Sequence, residues 1–126
     1  MITGFVDSTV VIHLLRRNLA ARQWLNGQPP LGVTPIVWLE VIEGARGKSG
    51  LADAIAVLQS FEMVYLTPAD QQWSMDHLGA YRLSRGVEIH DCLIASVCHR
   101  LQAPLYTHNV KHTLRLLDPH LVIQPY

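Results

Sequence analysis

A chain of 126 residues with 49% hydrophobic and only 16% charged side chains can bury a core of its own, which excludes disorder and any need for disulfide staples. Ten Lys plus Arg balance ten Asp plus Glu, so bulk charge predicts neither nucleic-acid nor membrane binding, and a polyanion site has to be local. No apolar run approaches the ~20 residues of a bilayer span, and the first charge, Asp7, is acidic, so neither a transmembrane segment nor a secretory leader is expected. The expectation is one domain over residues 1–126 in the cytoplasm. Cys92 and Cys98 lie on different faces of one apolar helical stretch and read as two reduced, buried thiols, which suits that compartment.

The first element is a short apolar run through Phe5 and Val6, read as a buried strand with Asp7 at its carboxyl end. A helix leaves from Ser8 or Thr9 and runs to Leu15. Asn18 caps a second helix that stops at Asn26-Gly27, and Gln28-Pro29-Pro30 leads into a strand over Leu31 to Thr34. Thr34-Pro35, a hydroxyl followed by proline, starts a helix to Ala45 that is apolar on most faces, so its carboxylates Glu40 and Glu43 stand out. Arg46-Gly47-Lys48-Ser49-Gly50 reads as a basic, flexible loop, followed by an amphipathic helix from Leu51 to Ser60 and a strand from Met63 to Leu66. Thr67-Pro68 opens a helix to about Arg85, with Gly86 just past its end. Val87 to His90 reads as a connector, and Asp91 opens an apolar helix whose dipole favours an anion there. Strands over Pro104–Thr107 and Leu121–Gln124 complete the pattern, separated by a brief helical turn.

Strands alternating with helices imply βαβ units, a mostly parallel sheet and right-handed crossovers. The residues alone leave the strand order open. In the order 3-2-1-4-5, Asp7 after the first strand and Asn109 after the fourth become neighbours where the winding reverses, and a crevice opens there. Asp91 can reach that crevice from above and Glu40 from the side. Carboxylates converging without matching cations repel one another, and a divalent ion resolves the conflict. Oxygen-only ligands suit Mg2+ and Mn2+. Such an ion can polarise a phosphoryl oxygen and make water nucleophilic at neutral pH, so the residues point to metal-assisted attack on a phosphate ester.

Four blocks carry a family resemblance: Val6 to Ile12, Thr34 to Gly44, Ile89 to Ala95 and Leu105 to His112. In order and spacing they resemble the blocks of PIN-domain nucleases, over almost the whole chain. A stand-alone domain of this size is similar to the VapC-type toxin of a toxin–antitoxin pair. The resemblance implies a three-layer α/β/α sandwich on a five-stranded parallel sheet in the order 3-2-1-4-5. It further implies Mg2+- or Mn2+-dependent endoribonuclease activity, homodimerisation, and inhibition by a small DNA-binding antitoxin of the VapB kind. Asp7 and Asp91 match the principal metal-binding aspartates and Glu40 the third acidic position. Asn109 falls where many PIN domains carry Asp, which removes a charge and favours a single ion. Thr113 stands where the family commonly has an aromatic, and looser packing without effect on the chemistry is expected there.

Each residue also has a plainer reading. Asp7 and Asp91 could be helix-start residues, Asn109 a turn residue, and Glu43 plain surface. Ser8, Thr9 and Thr107 read as caps or strand-end hydroxyls. His90, His108 and His112 sit by the crevice and could contact phosphate, though no His or Cys set has zinc spacing. Lys111, Arg46 and Lys48 are candidates for positioning RNA. The competing function is a non-catalytic PIN-fold module that only docks on an antitoxin or RNA. A receiver-type signalling domain is rejected, because Asp7 lacks a paired acid and no lysine follows the last strand.

Overall fold

In the computed structural model, which describes residues Met1–Tyr126, the apolar runs become short parallel strands of one five-stranded sheet in the order 3-2-1-4-5. The strands are β1 (Phe5–Val6), β2 (Gly32–Val33), β3 (Glu62–Met63), β4 (Leu105–Tyr106) and β5 (Val122–Ile123). The helices are α1 (Ser8–Leu15), α2 (Leu19–Asn26), α3 (Pro35–Gly44), α4 (Gly47–Leu58), α5 (Pro68–Arg85), α6 (Ile89–Leu101) and α7 (Val110–Thr113), with a 3-10 turn over Pro119–Leu121 before β5. Right-handed crossovers set α1 to α4 on one face and α5 to α7 on the other, and the helices pack within those groups, with α3 and α6 also in contact. The result is the expected α/β/α sandwich.

Burial follows position in the sheet. β1 is sealed on both faces, and the edge strands β3 and β5 are partly open, as a sheet clothed by helices requires. Phe5 pairs with Gly32 on one side and Leu105 on the other. Gly32 has a steric reason: a Cβ there would sit 2.8 Å from Cε1 and 3.0 Å from Cδ1 of the Phe5 ring. Gly32→Ala therefore has to displace a fully buried ring, and is expected to lower stability by about 1–3 kcal/mol, read as a lower urea midpoint at unchanged slope. An unchanged midpoint would mean the ring relocates freely.

Several boundaries differ from the expected ones, each for a tertiary reason. The apolar run predicts β3 as far as Leu66, but pairing ends once Val64 N donates to Val33 O at 2.9 Å. Beyond Val33 its partner turns into α3 at Thr34-Pro35, so nothing remains to pair with. The stretch from Gly47 to Gly50, expected as loop, is the first turn of α4. That helix has no side-chain cap, and Gly47 enters it at φ +68, so no capping signal announced it. Ile89 and His90, expected as connector, already belong to α6, whose cap position is Glu88. Asp91 still falls in the first turn.

The longest helix ends as its sequence suggests. Thr67 and Asp70 form a reciprocal capping box, and Gly86 closes the C-terminus in the left-handed conformation at φ +65. Asp70 also accepts from Arg100 Nε at 2.8 Å, tying the start of α5 to the end of α6. Cys92 and Cys98 are free and buried, and burial pushes the Cys98 thiol up to about 12. No helix is long and apolar enough to cross a membrane.

Candidate active site

Asp7 is delivered by β1 and held in place by the first residue of α1. Its backbone is extended, and its Oδ1 accepts from Ser8 N at 2.8 Å, so it is the N-cap of that helix. The plainer reading of Asp7 is therefore correct for one of its two oxygens. The other oxygen departs from a simple cap. Thr107, fully buried just past β4, donates its hydroxyl to Asp7 Oδ2 at 2.6 Å. The same hydroxyl accepts from Asn109 N at 2.9 Å, and Thr9 Oγ1 accepts from His108 N at 3.1 Å. These bonds stitch the β1–α1 and β4–α7 turns together at the point where the winding reverses.

Asp91 and Asp7 line one small cavity together with Ile94, Leu105 and Thr113. Glu40 arrives on α3, started by Thr34, whose hydroxyl accepts from Val37 N at 3.4 Å. Its Oε1 is buried with no hydrogen-bond partner, while Oε2 lies 3.9 Å from His90 Nδ1. Burial raises the pKa of the Glu40 carboxyl; the charges of Asp7, Asp91 and Glu43 add to this and His90 offsets part of it. Burial likewise raises Asp91, with Asp7 and Glu88 adding and His112 and His90 opposing. Two carboxyls raised in this way, each feeling Asp7, are a negative focus short of cations.

The arrangement tests what kind of ion fits. No three Asp, Glu, His or Cys side chains stand close enough to form a ready-made cage. That argues against a structural zinc site, which needs four such ligands. The three acids expected to converge are therefore not gathered into one ligand set: Asp7 and Asp91 share the cavity and Glu40 does not line it. The orphaned Glu40 oxygen is the kind of buried acceptor that the water shell of a hard cation satisfies.

Asn109 occupies the cap position of α7 but makes no side-chain cap bond. Its backbone carbonyl accepts from Thr113 Oγ1 at 3.0 Å. Thr113, expected to matter only for packing, is buried and lines the cavity with both aspartates. Thr107 reads in sequence as a strand-end hydroxyl, and its direct bond to Asp7 is legible only from the 1–4 strand adjacency. His108, offered as a phosphate contact, turns its ring into a cluster with His13 and Tyr126, at centroid distances of 4.7 and 4.5 Å. Burial, with His13 beside it, lowers its pKa. Trp38 packs against the core, and Glu43, Arg46, Lys48 and Lys111 lie towards solvent.

Residues 4–113, and with them all three acids, match the family model described as PIN domain. The chain belongs to the PIN-domain family. A search of the curated proteins finds no match. Among solved structures, a toxin–antitoxin complex from Klebsiella pneumoniae shares 22% identity at a TM-score of 0.78, covering 98% of each chain. VapBC-1 from nontypeable Haemophilus influenzae shares 21% identity at a TM-score of 0.73, over 91% of this chain and 92% of that one. VapBC2 from Rickettsia felis, bound to a DNA fragment from its promoter, shares 17% identity at 0.76, over 100% and 99%. Within this PIN domain the matched stretch ends at Thr113, so it includes every residue lining the acidic cavity.

Proposed function

We propose that this PIN domain is a Mg2+- or Mn2+-dependent endoribonuclease, the toxin of a VapBC-type toxin–antitoxin pair, with residues 1–126 acting as one nuclease domain in the cytoplasm. The observation that carries the reading is the shared cavity of Asp7 and Asp91, with the unpartnered Glu40 oxygen and the raised carboxyls around it. Asp7 and Asp91 would hold the ion, with Glu40 in support. An ion bound there would supply polarisation of a phosphoryl oxygen and a lowered pKa for water near neutral pH. The Thr107 hydroxyl fixes the Asp7 carboxylate and, through Asn109 N, the turn carrying the Asn109 amide. Asn109, neutral where many PIN domains carry Asp, leaves a charge balance suited to one ion.

The surface bears on partners. Ile36, Leu39, Ile89 and Leu93 line a groove whose remaining walls are Glu40, Glu43 and His90, and Leu39 and Ile89 are 60% and 57% exposed. An apolar surface of this kind beside the acids is what an antitoxin segment or a second copy of the chain would cover. The Klebsiella relative was solved as a toxin–antitoxin complex.

Purified protein with Mn2+ is expected to cut RNA internally, and EDTA to stop it. Failure to cut any RNA with Mn2+ would count against the enzyme reading. Melting curves supply an independent readout. Raised folded-state pKa values mean that the folded protein binds protons more tightly than the unfolded chain. The metal-free protein is therefore unburdened below the ordinary carboxyl range, about pH 4, and loses stability as pH rises through the folded values. Mn2+ relieves that repulsion only where the carboxyls are ionised. At neutral pH and a hundredfold excess over Kd it should add about 2.7 kcal/mol, with the gain fading towards about pH 4. A PIN fold that only docks on a partner would show no such carboxylate-dependent shift.

A further inference from the structure

We propose that Arg82, Arg85 and Arg115 form a track that binds the phosphate backbone of the RNA strand beside the acidic cavity, an inference that rests on the ribonuclease reading. All three surround the turn at Gly86. Arg82 Nη1 donates to Val87 O at 3.0 Å, and Arg85 Nη1 donates to Arg115 O at 3.1 Å. The Arg85 guanidinium also lies 3.9 Å over the Tyr81 ring. Arg115 Nη1 closes on Gly86, 3.7 Å from where a Cβ would stand. Each guanidinium thus makes its close contacts with neutral groups, carbonyls, a ring or a glycine, while Glu88 lines the same surface pocket as Arg82 without pairing with it.

The ion pairs of the molecule are His90 with Glu40 and Arg100 with Asp70, so apart from Arg100 no Lys or Arg of the chain has a carboxylate within 4.0 Å. What sets Arg82, Arg85 and Arg115 apart is that their guanidinium groups gather at one turn. In a chain with balanced charge, three of ten Lys plus Arg standing together and unpaired form a local positive field. Arg82 and Arg85 also complement the dipole at the end of α5, but a role in capping needs one or two hydrogen bonds, not five donors per fork. The spare donors suit phosphate oxygens, which guanidinium groups bind bidentately.

Position joins the cluster to the site. Arg115 lies two residues past Thr113, which lines the cavity of Asp7 and Asp91, so their Cα atoms are at most about 7 Å apart. On the other side, Val87 and Glu88 lead directly into α6 and Asp91. An RNA strand whose scissile phosphate sits at the acids therefore has a cationic rail for its neighbouring phosphates. The carboxylates repel the strand, and the rail offsets that repulsion without neutralising the site.

The test is the salt dependence of binding to an uncleaved single-stranded RNA, measured on the full chain carrying Asp7→Asn so that binding is read apart from cleavage. Adding Arg82→Gln, Arg85→Gln and Arg115→Gln together should flatten the slope of log K against log salt by about 2, at about 0.7 per phosphate contact. Affinity at low salt should fall at least about tenfold over the same change. Arg22→Gln on α2 controls for loss of a charge elsewhere. The triple Lys variant keeps charge while losing the guanidinium bonds to backbone; it should retain the slope, whereas a purely structural role would make it behave as the Gln variant does. An unchanged slope in the Gln variant, or an equal loss of affinity for polyglutamate, overturns the RNA track. Absence of cleavage by the wild-type chain with Mn2+ would instead overturn the nuclease reading, so the two failures are distinguishable.

Discussion

Asp7→Asn should lower Mn2+-dependent RNA cleavage by more than about a hundredfold, since loss of even an outer-shell partner costs 10- to 100-fold, and should do so in a protein that melts no lower than wild type in EDTA. The second half makes the first interpretable. Asparagine keeps the shape of the carboxylate. Its oxygen can still accept from Ser8 N and cap α1, and its amide can donate to the Thr107 hydroxyl, reversing a bond now made at 2.6 Å. What disappears is a charge that both Glu40 and Asp91 feel, so those carboxyls should move back towards their ordinary range. The metal-free variant loses like-charge repulsion and should match or exceed wild-type stability, while the melting shift with Mn2+ disappears. A variant that folds normally and still cleaves at the wild-type rate would remove Asp7 from the chemistry.

Asp70→Ala should carry the largest stability loss among the charged positions, about 2–3 kcal/mol, or roughly 8–12 °C in Tm for a chain of this size. Asp70 is 1% exposed, caps α5 through Thr67, and accepts from Arg100. Losing the cap costs about 1 kcal/mol. Breaking a buried pair can cost about 3–5 kcal/mol, but the Arg100 side chain is 32% exposed and can turn to water, so the loss falls below that range. Asp70→Asn, which retains an acceptor for Thr67 N, should lose less. Burial works to raise the Asp70 carboxyl, but the bond from Arg100, the Thr67 bonds and the guanidinium charge outweigh it, and the net shift is downward. A lowered pKa contributes stability above the unfolded value of about 3.9 and loses it as pH falls through the folded one. The gap between wild type and Asp70→Ala in denaturant titrations should thus be flat at neutral pH and narrow below about pH 4. A gap that stays constant into strong acid would assign the effect to packing instead.

Much of the fold was legible along the chain because local rules decided it. Thr34-Pro35, Asn18 and Thr67-Pro68 each carry their own cap, and each opens a helix at the expected residue. Gly86 ends α5 because a left-handed backbone at that point favours a residue without Cβ. Where no local signal exists, reading fails: α4 begins without a side-chain cap, and β3 stops because its neighbour turns away, a fact held in another part of the chain.

The candidate site divides the same way. Residue type and position marked Asp7, Glu40 and Asp91 as carboxylates at strand ends and on apolar helices, because placing charge there is costly without a purpose. Only the tertiary structure decided that Asp7 and Asp91 share a cavity and that Thr107 bonds one of them. It also decided that Thr113 belongs to the lining and that the His108 ring packs away with His13 and Tyr126. The reason is range. Caps, turns and hydrophobic periods act within a few residues and are written in order along the chain, whereas the order of strands joins residues 100 apart, as Asp7 and Thr107 are, and takes its energy from burial that no local segment can supply.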